Sequence, residues 1–247
     1  MKKQSSIQVC VENDSCREEE DLSTVLGQCF PQSAYTSTSL SPRGGSGGGM
    51  IFHDHTHSFI LKKIQGEEAF RRERRNAERW QEIRGNHTFL PAVLGIFPSV
   101  QAIFYQNHFE RGRVVDPERD RDHLKTHVLH NLHMLHKAGI VHGDVKPTNL
   151  LLSEDGLSLQ WIDLGSLRFR DSLITYDDDL SGKSKAFLPP SLLQDSLILS
   201  LPHTTTFHDL CHLDLYAAHH FLGMSYPIEK TIETIQQRIT DQFLLEN

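Results

Sequence analysis

Cysteine is scarce in this chain. There are four among 247 residues, with Cys10, Cys16 and Cys29 in a polar N-terminal stretch and Cys211 far from them. No pair has metal-ligand spacing, which argues against a disulfide-built scaffold and for a reducing, cytoplasmic compartment. Also lacking is any apolar run long enough to span a bilayer, and Met1-Lys2-Lys3 leads into polar residues where a signal peptide would place an apolar core. The chain is therefore expected to have no membrane span and to work in a cytosol. Positive charge is in the minority, with 25 Lys and Arg against 32 Asp and Glu and a net charge of −7. The one dense basic run, Arg71 to Arg75, falls in a helical pattern whose outward positions are simply solvated. Nucleic acid is not an expected partner. What is present, 38% hydrophobic residues over this length, suffices for a substantial core in one or two domains.

The informative segment is His142 to Asn149, reading HGDVKPTN, followed by Ile162-Asp163-Leu164-Gly165. Transfer of a γ-phosphoryl group needs a group that orients the attacking hydroxyl, a cation that steadies the moving phosphate, and oxygen ligands that hold a metal against the nucleotide. Asp144 can take or orient the hydroxyl proton, and Lys146 can point the same way from an extended loop toward the γ-phosphate. Asn149 offers an amide oxygen to a metal and Asp163 a carboxylate, a donor set that suits Mg2+ completed by phosphate oxygens and water. Between them, Leu150-Leu151-Leu152 and Leu157 to Ile162 flank Glu154-Asp155-Gly156, the pattern of a hairpin that brings both metal ligands to one end. Upstream, Leu124, Val128, Leu132 and Leu135 recur at helical spacing. Ser58 to Ile64 alternates as a strand with Ile60, Lys62 and Ile64 on one face.

HGDVKPTN resembles the catalytic loop H-R-D-x-K-x-x-N of the protein kinase superfamily, and Asp163-Leu164-Gly165 resembles its D-F-G. The resemblance covers roughly residues 40 to 225. It implies an α+β, bilobed kinase-like fold with a small β-rich N-lobe and a truncated helical C-lobe, and an ATP- and Mg2+-dependent transfer to serine or threonine hydroxyls of a protein substrate. Phe59-Ile60-Leu61-Lys62 is similar to V-A-I-K, so Lys62 is expected to bind the nucleotide phosphates, with Lys63 as the fallback. Such a lysine needs a carboxylate partner on the helix from Glu67 to Arg84, and Glu78 fits best, with Glu73 over a turn earlier. The glycine run containing Gly45, Gly47 and Gly49 lies where the family keeps its phosphate-covering loop, although G-x-G-x-x-G is not met and a flexible linker is the rival reading.

The implied organisation is a Ser/Thr-rich tail over 1–39, unstructured apart from a short strand candidate at Ile7 to Val11, and a kinase-like domain over 40–247. Within it the N-lobe covers about 40–105 and the C-lobe about 110–247, with a hinge near Tyr105 to Phe109 and nucleotide in the cleft between the lobes. Ala186 to Ser191 resembles the end of an activation segment, and Asp214-Leu215-Tyr216-Ala217-Ala218 the start of a buried helix whose first-turn aspartate accepts backbone amides of the catalytic loop. One further helix, about Ile228 to Leu245, completes the chain. This compactness and the Ser-rich start resemble small kinase effectors that pathogenic bacteria inject, which implies a host protein substrate and delivery into a host cell cytosol.

Two departures stand out. Gly143 replaces the arginine before the catalytic aspartate, implying activity that does not wait for loop phosphorylation, and Ser191 replaces the glutamate of A-P-E. Rival classes are a Bud-type small kinase or ATPase, a lipopolysaccharide-type sugar kinase, and a pseudokinase acting as a binding module. Lys146 weighs against the first two and the retained nucleotide-site residues against the third. Of sixteen histidines, His53, His55 and His57 could share one face as a metal site, but an exposed turn is the plainer reading. His208 and His212 are read as the approach to the buried helix, and His123, His127 and His130 as a solvated stripe. His142 is read as a brace of the catalytic loop and not as a proton carrier.

Overall fold

Strand-forming residues dominate the first part of the chain and helix-forming ones the second, and the computed structural model divides into two units, Met1–Gly112 and Arg113–Asn247. It describes residues 10–11, 36–39, 49–53, 58–107, 113–171, 188–192 and 205–245.

The first unit is a six-stranded sheet with one helix. Its strands are β1 (Cys10–Val11), β2 (Thr36–Ser39), β3 (Gly49–His53), β4 (Ser58–Lys63), β5 (Ala92–Phe97) and β6 (Ala102–Asn107), in the order β1-β5-β6-β4-β3-β2. All neighbours are antiparallel except β1, which runs parallel to β5. Within the stretch 1–39, β1 lies inside the short strand expected at Ile7 to Val11, while β2 is a strand that expectation did not include. Alternating threonines at Thr36 and Thr38 suit an added edge strand, because β-branched residues fit a pleated surface.

Register in the sheet decides what faces what. Lys62 lies opposite Ile103 and Ile60 opposite Tyr105, so these four side chains share one face. The hinge expected from Tyr105 is corrected at its start, since Tyr105, Gln106 and Asn107 belong to β6; residues 108–112 lie outside the described part. Helix α1 (Glu67–Ile83) opens after Gly66 at φ 90, with Glu67 and Glu68 in its first turn where acidic side chains favour the positive end of the helix. It buries Phe70, Glu73, Ala77 and Trp80, a stripe at spacings of three and four. Trp80 anchors the helix by donating Nε1–H to the Pro91 carbonyl at 2.8 Å.

In the second unit, β7 (Arg113–Val114) leads into α2 (Pro117–Lys137). Asp116 caps the helix by accepting from the amides of Glu118 and Arg119, and Pro117 sits where a missing N–H costs nothing. Leu124, Val128, Leu132 and Leu135 are all buried, each contributing about 1.5–3 kcal/mol. Gly139, at φ 78, then turns the chain into β8 (Ile140–Val141). After a 3-10 turn over Pro147–Asn149 come β9 (Leu150–Leu152) and β10 (Leu159–Trp161), an antiparallel pair with Trp161 opposite Leu150. Gly156 at φ 72 and the Asp155 carboxylate, which accepts from Ser153 and Leu157, close its turn. β11 (Arg168–Phe169) pairs with β8.

Helix α3 (Phe207–Phe221) starts with a capping box between Thr206 and Asp209, earlier than expected. His208 and His212 are therefore inside the helix and not on its approach, and Asp214 is mid-helix and not in the first turn. Helix α4 (Glu229–Leu245) follows. Ile228, Ile232 and Ile235 pack with Leu210 and Leu213 of α3, Val141 and Leu192, while Arg238 holds the Asp209 carboxylate. Leu192 comes from the short turn Pro190–Leu192, and residues 172–187 lie outside the described part. The architecture is α+β, with a small β-rich first unit and a mainly helical second.

Candidate functional site

In the first unit the candidate site residues form a part-buried ion pair. Lys62 Nζ donates to Glu73 Oε2 at 2.6 Å, and the Glu73 side chain is only 3% exposed. Tyr105 Oη donates to the other oxygen, Oε1, at 2.9 Å. The expected partner, Glu78, is elsewhere: it is half-exposed and bonded to Arg74 one turn back along the same helix face. The physical reason is the stripe of α1, in which position 73 shares the buried side with Phe70, Ala77 and Trp80 while position 78 is turned outward. That spacing is the sequence signal for Glu73, the alternative to Glu78 named above; Tyr105 carries no such signal. Gly49 opens β3 opposite Lys62, and Gly45 and Gly47 lie outside the described residues.

In the second unit the hairpin delivers the other four residues to one place. Asn149 ends the 3-10 turn before β9, and its carbonyl accepts from the Ile162 amide at 2.9 Å, so Asp163 follows directly alongside. Asn149 Nδ2 donates to both the backbone oxygen and Oδ2 of Asp144, each at 2.9 Å. Lys146 Nζ donates to the same Oδ2 at 2.6 Å, with Asp144 9% and Lys146 18% exposed. The lysine and the aspartate thus point the same way, as an extended Lys146 at φ −158 allows.

Asp163 adopts φ 73, a conformation uncommon for any residue but glycine, and its Oδ1 accepts from the Gly165 amide at 3.1 Å. Strain of this kind, about 1–3 kcal/mol, is held only where the surroundings dictate it, and such residues cluster at functional sites. Both of these bonds from the Asn149 side chain leave from Nδ2, which makes its Oδ1 the atom a cation would use. One amide oxygen and one carboxylate form a hard donor set that fits a magnesium ion.

Two buried groups brace this loop. Asp214 Oδ2 accepts from the His142 amide at 2.8 Å and Oδ1 from the Gly143 amide at 2.9 Å, while His136 Nε2 lies 3.2 Å from Oδ2. Asp214 takes this role from mid-helix, through packing of α3, and not through a helix end. His142 is fully buried against Trp161, its Nε2 at 3.1 Å from the Ile162 carbonyl and its Nδ1 accepting from the Asp144 amide at 3.3 Å. A carbonyl can only accept, so Nε2 carries the hydrogen and the ring is neutral.

Burial pushes the His142 pKa below its ordinary value, against the pull of Asp214, Asp144 and Asp163. Below about pH 6.5 the unfolded chain takes up a proton that the buried ring refuses, so the stabilisation present above that pH is lost on acidification. Urea midpoints measured from pH 7.5 to about 5.5 are expected to fall, and to fall less steeply in His142→Gln. An equal slope in the variant would remove His142 from the account.

The other histidines form no comparable centre. His208 and His212 stack edge to face at 4.5 Å and His212 bonds Tyr226, but no group of three or more His, Cys, Asp or Glu suited to a metal occurs among the described residues. His55 and His57 lie outside those residues.

A family model described as the protein kinase domain matches residues 55–201, more than half of the chain. Cyclin-dependent kinase F-1 of Oryza sativa subsp. japonica is 35% identical over 83 residues, which cover 34% of this chain and 17% of that protein. The chain therefore corresponds to a limited part of this relative.

Proposed function

The chain belongs to the protein kinase superfamily, and from that premise we propose that it transfers the γ-phosphoryl group of Mg-ATP to serine or threonine hydroxyls of a protein substrate. The observation that carries this reading is the Lys146–Asp144–Asn149 junction, which sets an ammonium and an amide on one carboxylate two residues from the lysine.

In this reading Asp144 orients the acceptor hydroxyl and takes its proton as the new O–P bond forms and the bond from Pγ to the β-phosphate oxygen breaks, with ADP leaving. Lys146 steadies charge on the moving phosphoryl group. Lys62, held by Glu73, positions the α- and β-phosphates. Asn149 and Asp163 would hold magnesium, which when bound offsets phosphate charge. Because these groups work by placement and field, the chain's own contribution is to keep them oriented before the substrate arrives. No helix among the described residues is long and apolar enough to cross a membrane. The serine-rich first residues support an extension in which the substrate is a host protein met after delivery into a host cytosol.

Purified protein incubated with γ-labelled ATP, magnesium and a cell lysate is expected to yield phosphoserine and phosphothreonine. Label recovered only as free phosphate, on sugar or on tyrosine would overturn the proposal. In the same assay Glu73→Ala should lose about 100-fold, since misplacement of an orienting group costs rates of that order. Glu78→Ala should stay within about threefold, because its exposed pair with Arg74 contributes little. The reverse ranking would reinstate Glu78.

A further inference from the structure

We propose that Tyr105 is a positioning residue that fixes Glu73 and, through it, Lys62; the catalytic consequence rests on the reading of Lys62 given above. The Glu73 carboxylate is buried and its two oxygens are used differently, Oε2 by the Lys62 ammonium at 2.6 Å and Oε1 by the Tyr105 hydroxyl at 2.9 Å. A carboxylate held at one oxygen can pivot about that contact. Held at both, its plane is set, and the ammonium it grips is set with it.

The tyrosine reaches this carboxylate because of strand register. Tyr105 lies opposite Ile60, and Lys62 opposite Ile103, so tyrosine and lysine project from the same face of neighbouring strands two positions apart. The buried stripe of α1 brings Glu73 to that face. Tyr105 itself is 3% exposed, which matches an apolar ring in the core with a hydroxyl donor aimed at an acceptor-only group. Phenylalanine would preserve the packing and remove only the donor, leaving one buried carboxylate oxygen without that bond. No step of the transfer chemistry requires a hydroxyl here. Its function is to orient the pair.

The test compares the full chain with Tyr105→Phe, Glu73→Ala and the double variant. An amine-reactive reagent followed by peptide mass spectrometry reads Lys62 directly, with Lys137 and Lys230 as internal controls. Tyr105→Phe is expected to raise Lys62 labelling at least about threefold, Glu73→Ala more, and the controls not at all. With Mg-ATP, Tyr105→Phe is expected to lower kcat/KM about tenfold, the scale of one hydrogen bond to a charged group. In the Glu73→Ala background the same change should have no further effect.

Unchanged Lys62 labelling in Tyr105→Phe overturns the assignment, and so does an equal loss in the Glu73→Ala background. Labelling does not depend on turnover. A chain that never phosphorylates anything, yet shows raised labelling, would defeat the proposed activity and uphold the positioning role. Normal turnover with unchanged labelling would do the opposite.

Discussion

Replacing Asp163 by asparagine is expected to lower phosphoryl transfer by about 10³-fold, equivalent to about 4 kcal/mol of barrier, while leaving the urea midpoint close to that of the wild type. The choice of asparagine follows from the backbone. At φ 73 the residue sits in the left-handed region, which asparagine tolerates nearly as well as aspartate and alanine does not. Asp163→Ala should therefore show the same loss of transfer together with about 1 kcal/mol of lost stability, separating the role of the charge from that of the turn. The charge is the part proposed to matter for catalysis, because an amide in place of the carboxylate leaves the proposed metal site without its anionic ligand. Transfer retained within tenfold in Asp163→Asn would remove this residue from the machinery.

The second large effect concerns stability. Asp214→Ala is expected to cost at least about 3 kcal/mol in urea unfolding, because it strands the buried amides of His142 and Gly143 together, each lost partner costing about 1–3 kcal/mol. Against a total stability of about 5–15 kcal/mol for an ordinary domain, that loss is large. Asp214→Asn should be milder, since an amide oxygen can still accept one of the two bonds. Transfer activity should fall in parallel with the folded fraction, because His142 and Gly143 directly precede Asp144 and their backbone is fixed by this carboxylate. An Asp214→Ala protein as stable as the wild type would show that the amides find other partners and that the loop is held by something else.

The residues behind these two effects were legible in the sequence to different degrees. Asn149 and Asp163 could be brought together on paper because only a hairpin separates them. Its turn is written in Asp155 and Gly156, and the register of Trp161 with Leu150 then leaves little freedom. The buried row of α2 was equally readable, since Leu124, Val128, Leu132 and Leu135 follow the helix period without interruption. Asp214 was readable as a partner of the loop amides but not by its position, because the helix begins at Phe207 with a Thr206–Asp209 box that the histidines around it obscured.

The partner of Lys62 shows where such reading stops. Likeness to a family motif favoured Glu78, whereas the local stripe of α1 places Glu73 inward and gives Glu78 to Arg74. Tyr105 had no signal in its own neighbourhood, since its relation to Glu73 spans 32 positions and depends on which strand lies beside β4.

The amino-acid order by itself determined the chemical inventory and its local geometry: the acid, lysine and amide of HGDVKPTN, the hairpin that returns to Asp163, and the apolar rows of the helices. The spacing of the α1 stripe already pointed to Glu73, whereas tertiary structure alone decided which hydroxyl steadies that carboxylate. Strand register has a period of two, so a slip of one residue would turn Tyr105 and Lys62 to opposite faces, and that choice is made by packing between distant segments.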